Sequence, residues 1–201
     1  MGRKTAISTT THIMPPSGYD IAGDDLQLAK RIVQSSKIPV AAVSGPDGRL
    51  ISPGIPVLEA LAEIVDHLIV EADGSKRLPI KAPAAHEPVL PPKNRLIIAV
   101  AGLSALGQPL FAACHRAELA ADILGTSLDE PITPKMLAKL LLSKEGQMKD
   151  SPDISDIRFF LNQADVTDAE SVACVMIKEQ PQAQIVFGSL QKRWLKRYSG
   201  N

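Results

Sequence analysis

Residues Asp66 to Pro88 read DHLIVEADGSKRLPIKAPAAHEP. His67 to Val70 is a short run of apolar and β-prone residues, expected to be a buried strand, and it runs straight into Glu71, Ala72, Asp73, Gly74 and Ser75. Open parallel sheets bind ligands at the carboxyl ends of their strands. A strand ending in two acids and a glycine therefore suits a site where Asp73 holds Mg²⁺, directly or through water, while Glu71 orients a nucleophile. Lys76, Arg77 and Lys81 follow, then a Pro-rich passage with His86 and Glu87. Two acids followed by three bases suit a metal and an anionic ligand together. The plainer reading is a strand end with solvated loop charges, since clustered charge marks sites only statistically.

Outward from this segment, strand and helix patterns alternate, which implies parallel βαβ units. Upstream, Thr5 to Thr9 is a β-branched run ending in Thr9, Thr10, Thr11 and His12. Hydroxyls at a strand end can hold a metal-bound water or a phosphate oxygen, although β-propensity also accounts for threonines there. No second His or Cys sits at ligand spacing from His12, which argues against its being a direct metal ligand. Asp24 and Asp25 precede a helical stripe of Leu26, Ala29, Ile32 and Val33. Pro39 to Val43 reads as a strand, and Gly45-Pro46-Asp47-Gly48 as a turn leading to a small hairpin with Leu50-Ile51. Leu58, Leu61, Ala62 and Val65 mark the helix before the acidic strand.

Downstream, Arg95 to Ala101 (RLIIAVA) is a continuous apolar run, expected to be a fully buried central strand. A helix is expected from about Leu110 to Leu124, with His115 and Arg116 able to reach an anion. Another starts at Thr133-Pro134, with threonine as cap and proline at the first position. Ser143 to Asp156 reads as a surface connector. Arg158 to Leu161 is a strand followed by Asn162-Gln163-Ala164-Asp165. Asn-x-x-Asp at this place resembles the base-recognition motif of GTPases, Asn-Lys-x-Asp, with glutamine in place of lysine. One carboxylate there accepts two protons from guanine. A helix from Asp168 to Lys178 and a strand from Gln184 to Phe187 follow, and the basic tail around Trp194 reads as an amphipathic helix with snorkelling bases.

VEADGSKRLPIKAPAAHEPV, from Val70 to Val89, closely resembles the signature of the YqeC-type family, accessory factors of selenium-dependent molybdenum hydroxylases. STTTHIMPP at Ser8 to Pro16, AVAGLSALGQPL at Ala99 to Leu110, HRAE at His115 to Glu118 and FLNQAD at Phe160 to Asp165 agree in order. The resemblance implies an α/β, three-layer, mostly parallel sheet of P-loop NTPase type, formed by residues 1–201 as one domain. It implies Mg²⁺ with ATP or GTP in full-length relatives, with Asp73 and Thr10 on the metal. Thr9, Thr10, Thr11, Ser75, Lys76, Lys81, His86, Asn162 and Asp165 would line the cofactor site, with Glu71 and Asp73 catalytic.

One departure stands out. Such proteins open with a strand, a glycine-rich phosphate loop and a helix, whereas this sequence starts at Met1 directly before the threonine strand and holds no G-x-x-x-x-G-K-[ST]. A strand, loop and helix need roughly 30 residues. The expectation is a fold without that first strand, phosphate loop and helix. His67 to Val70 and Arg95 to Ala101 would then lack a shared neighbour.

Composition narrows the partners. The chain has 201 residues, 45% apolar and 22% charged, with 22 basic and 22 acidic side chains. No bulk field attracts nucleic acid or an anionic membrane, and 3% aromatic residues leave little for base stacking. Cys114 and Cys174 have no metal-ligand spacing and read as free thiols of a reducing compartment. No signal-peptide core or membrane-length apolar run is present, so a cytoplasmic location is expected. The leading function is maturation of a selenium-dependent molybdenum hydroxylase, that enzyme or its maturation machinery being the partner, with oligomers left open. The alternatives are a non-catalytic module delivering a cofactor or oxyanion, and a small-molecule kinase.

Overall fold

The structure is a computed structural model that describes residues 3–151 and 153–199. The chain is α/β and forms two compact units, Met1–Gly74 with Glu87–Asn94, and Ser75–His86 with Arg95–Asn201.

The first unit is built on a four-stranded parallel sheet ordered β2-β3-β1-β6. Its strands are β1 (Thr5–Thr9), β2 (Asp20–Ile21), β3 (Pro39–Ala41) and β6 (His67–Glu71). Helix α1 (Leu26–Gln34) starts where the Asp25 carboxylate accepts the N–H groups of Gln27 and Leu28, satisfying donors that the first turn leaves orphaned. Its stripe of Ala29, Ile32 and Val33 is buried, and Ala29 and Ile32 pack with Ala6, Ala41 and Leu61 of helix α2 (Ile55–Ala62). A hairpin of β4 (Val43–Ser44) and β5 (Leu50–Ile51) closes over the Gly45–Gly48 turn. Leu50 then joins Ile13, Val40 and Ala42 in a second small apolar patch.

The second unit carries its own sheet, ordered β12-β11-β10-β8, parallel except at β12. These strands are β8 (Ile97–Gly102), β10 (Ile157–Asn162), β11 (Gln184–Ser189) and β12 (Trp194–Arg197). The inward side chains of β8, β10 and β11 join residues of α5 (Pro134–Leu142) and α6 (Glu170–Glu179) in one large core that includes Phe159, Leu161, Leu137, Leu141 and Met176. A separate parallel pair joins β7 (Ile80–Lys81) to β9 (Cys114–His115). Helices α3 (Leu110–Ala113) and α4 (Ala117–Leu124) stand on either side of β9.

Several sequence expectations are corrected here. The apolar run Arg95 to Ala101 is not a buried central strand: β8 is the outer strand of its sheet, and Ile98 and Val100 are 57% and 52% exposed. A continuous apolar run shows that both faces avoid charge, not how many neighbours the strand has. The acidic strand β6 is also outermost rather than buried, with Ile69 59% exposed. The expected long helix from Leu110 breaks at Cys114–Arg116, where Arg116 takes a left-handed conformation with φ 61°. The tail is strand β12, not a helix: its side chains Trp194 and Lys196 pack on Phe187 of the adjacent strand. The connector after Ser143 is only partly surface, since Met148, Ser151 and Ile154 are buried.

Candidate functional site

In the first unit, β1 and β6 run parallel with Thr9 opposite Glu71, so both strands end together. The Glu71 carbonyl accepts the Thr10 N–H at 2.9 Å and the Thr9 hydroxyl at 3.0 Å. Thr9 Oγ1 in turn accepts the Thr11 N–H at 2.9 Å. Thr9 is thus fully buried and fastens the threonine run to the acidic strand. Thr10 Oγ1 donates to the Val89 carbonyl at 2.7 Å, and the Val89 N–H reaches the Ala72 carbonyl at 3.4 Å. The segment after the Pro-rich passage therefore braces the turn that bears Asp73. Thr10, Thr11 and Asp73 are half-buried, and His12 is exposed.

The Glu71 carboxyl titrates above its ordinary value of 4.5, first because of desolvation and second because of the Asp73 charge. A carboxylate whose charge is disfavoured by burial and by a neighbouring acid gains from a cation. Among the described residues no group of three His, Cys, Asp or Glu side chains converges as a metal site. A site for Mg²⁺ does not need one, because Mg²⁺ keeps several waters and uses one or two carboxylates plus phosphate. A cavity of about 230 Å³ lined by Lys4, Lys30, Val33, Gln34, Glu63 and Ile64 lies elsewhere. Lys4 directly precedes β1, so that cavity is at the opposite end of the strand from Thr9.

In the second unit, Ser75 to Leu78 forms a tight turn closed by the Leu78 N–H on the Ser75 carbonyl at 3.0 Å. Both central residues, Lys76 and Arg77, have positive φ, 51° and 65°. Non-glycine residues take this region at a cost, and such outliers cluster at ligand clamps. The turn leaves both basic side chains exposed. Lys81 is 5% exposed in β7 and lies opposite His115 of β9, while its carbonyl accepts Gln147 Nε2 at 2.9 Å. Arg116 Nη1 donates to the Ala82 carbonyl at 3.4 Å. Lys149 Nζ donates to the Ala84 and Ala85 carbonyls at 2.9 and 2.8 Å. Gln147 and Lys149 thus hold the backbone of the KAPAA passage from a connector whose composition suggested only surface. His86 is exposed. Burial pushes the Cys114 thiol up to about 11, so it is an inert packing group.

At the end of β10, Asn162 Oδ1 accepts the Leu190 N–H at 3.2 Å, tying the loops after β10 and β11 together. Gln163, at φ 66°, accepts the Ser104 N–H at 3.3 Å. Its Oε1 stands 2.5 Å from where a Cβ on Gly102 would fall, so glycine at 102 leaves room for this contact. In the sequence Gln163 is a departure from Asn-Lys-x-Asp. Its position gives it a bracing role between two strand ends. Asp165 is exposed beside it. The hydroxyl and acidic candidates therefore belong to the first unit, and Ser75, Lys76, Lys81, His86, Asn162 and Asp165 to the second.

Parallel strands joined through helices, with threonine hydroxyls and paired acids at the ends of β1 and β6, define an α/β protein. Residues 1–118 of the 201 match the family model described as YqeC protein, so the chain belongs to the YqeC family. One relative, named "Uncharacterized protein YqeC", comes from Escherichia coli (strain K12). It is 27% identical over 209 aligned residues, which cover 95% of this chain and 78% of that protein. No solved structure matches the chain. Among the described residues no helix is long and apolar enough to cross a membrane.

Proposed function

We propose that this protein binds Mg-nucleotide, ATP or GTP, as a variant of the P-loop type, and serves in the maturation of a selenium-dependent molybdenum hydroxylase. The observation that supports this most is the end of β6, where Glu71 and Asp73 sit beside a threonine run fastened to the same strand end. Carboxylate and hydroxyl oxygens are the hard donors that Mg²⁺ prefers, so the residues present fit the ion. Asp73 and Thr10 would hold it; Thr10 donates its proton to Val89 and keeps lone pairs for a cation or its water. When bound, Mg²⁺ neutralises charge developing on phosphate oxygens. Glu71, its proton affinity raised, orients a water. Thr9 positions Thr10 and Thr11, and Asn162 and Asp165 are the candidates for reading a base.

A second reading, oxyanion or cofactor delivery, draws on the Lys76–Arg77 turn, which presents two cations from a conformation that costs free energy to hold.

Titration calorimetry with Mg-ATP and Mg-GTP tests the leading reading. Weak binding is expected of the 201-residue chain, with Kd above ~1 mM. Asp73→Ala should abolish the Mg²⁺-dependent part while changing stability by no more than about 1 kcal/mol. Equal Mg²⁺-dependent affinity in the variant would contradict the assignment.

A further inference from the structure

The carboxy-terminal strand has features that the metal site does not use. β12 pairs antiparallel with β11 and is the last strand of its sheet, so among the described residues its other side is an open edge. The Tyr198 N–H donates to the Ile185 carbonyl at 3.0 Å. In an antiparallel pair alternate residues bond towards the partner. Lys196 and Trp194 therefore direct their backbone groups to β11, and Leu195 and Arg197 direct theirs outwards. Lys192, Arg193, Lys196 and Arg197 crowd this strand and its turn, with no acid from Leu190 to Asn201, in a chain whose net charge is zero overall. None of the four forms an ion pair with a described carboxylate. Leu195 is 62% exposed and Leu190 59%.

We infer that β12 is a docking edge for an extended acidic peptide, which adds to the sheet as a fifth strand. An open edge offers N–H and C=O groups that any strand can meet, and cationic edges are a known defence against self-pairing. The same four cations that repel a second copy of β12 favour a strand carrying carboxylates, because opposite charges across a strand pair are stabilising and like charges are not. Exposed Leu195 gives such a peptide an apolar contact between its acids, as in other strand-addition complexes. A nucleic acid fits less well: it cannot complete a β-ladder, and the Trp194 ring is already set edge-on to Phe187 with centroids 6.2 Å apart.

Trp194 is the only tryptophan of the chain and reports on this edge directly. The test titrates the protein with an end-capped heptapeptide alternating glutamate and valine, following Trp194 emission at low and high salt. Saturable emission change that weakens with salt is expected. Lys192→Glu combined with Arg197→Glu, side chains that form no hydrogen bond or ion pair among the described residues, should weaken binding about tenfold or more, since rim charges steer such encounters. Leu195→Pro should also weaken it, because it removes an outward donor while sparing the bonds to β11. Circular dichroism confirms that each variant is folded. The inference is overturned if the heptapeptide leaves Trp194 unchanged at millimolar concentration. It is equally overturned if a lysine–valine or proline-interrupted glutamate peptide binds as well, or if a single-stranded oligonucleotide binds more tightly.

Discussion

The two four-stranded sheets of this molecule have very different interiors. In the first unit the buried apolar residues fall mainly into two small clusters, Ala6, Ala22, Ala29, Ile32, Ala41 and Leu61 in one and Ile13, Val40, Ala42 and Leu50 in the other. In the second, Phe159, Leu161, Leu137, Leu140, Leu141, Ile157 and Met176 fill one continuous core. Burial stabilises in proportion to apolar area, so the second unit contributes most of the stability. The first, with its half-buried threonines and two acids, holds the surface best suited to a metal. Stability and candidate chemistry lie in different parts of the chain.

The largest expected effect challenges that division directly. Phe159→Ala, at a fully buried position, should cost about 3–5 kcal/mol and lower the main transition in chemical denaturation. Leu61→Ala should shift only a separate, weaker transition of the first unit. A single shared transition displaced equally by both would break the comparison.

A smaller effect sharpens it. Asn162→Ala removes the acceptor for the Leu190 N–H and should cost about 1 kcal/mol in thermal melts. Asp165→Asn should leave stability nearly unchanged and act only on ligand preference, weakening guanine relative to xanthine nucleotides. If Asp165→Asn destabilises as much as Asn162→Ala, the aspartate is structural rather than a base reader.

How much of this was legible in the sequence follows from the same division. Local signals are legible: the acids Asp24 and Asp25 before α1, the Thr133-Pro134 helix start, the Gly45–Gly48 turn and the alternation of strands and helices all depend on neighbours in the chain. Sheet position is not, because RLIIAVA carries no information about how many strands flank it. The tail is ambiguous in sequence, since Lys192 to Arg197 fits a basic amphipathic helix as easily as an edge strand, and only the Phe187 contacts decide. At the site, Glu71, Asp73 and the threonines were legible as residue types at strand ends. The bracing roles of Val89, Gln147, Lys149 and Gln163 were not, because each depends on backbone atoms distant in sequence.

The smallest effect concerns the pH dependence of the first unit. Glu71 binds its proton more tightly in the folded than in the unfolded state. Between its ordinary value of 4.5 and the raised one, the native state therefore holds more protons, and stability falls as pH rises through that window. Above it the cost of the ionised carboxylate is fully present. Glu71→Gln should thus raise the melting temperature at neutral pH and not below pH 4.5. A variant melting lower at neutral pH would mean that the ionised carboxylate is stabilising.

The central claim, that the end of β6 holds a divalent cation with the threonine run, is tested most directly by placing a paramagnetic ion there. Mn²⁺ accepts the same oxygen donors as Mg²⁺ and broadens the amide resonances near it. With nucleotide present, substoichiometric Mn²⁺ should selectively broaden Thr10, Thr11, Asp73 and Gly74, and Asp73→Ala should remove the effect. Unperturbed signals at these four residues, or broadening that persists in Asp73→Ala, would contradict the account.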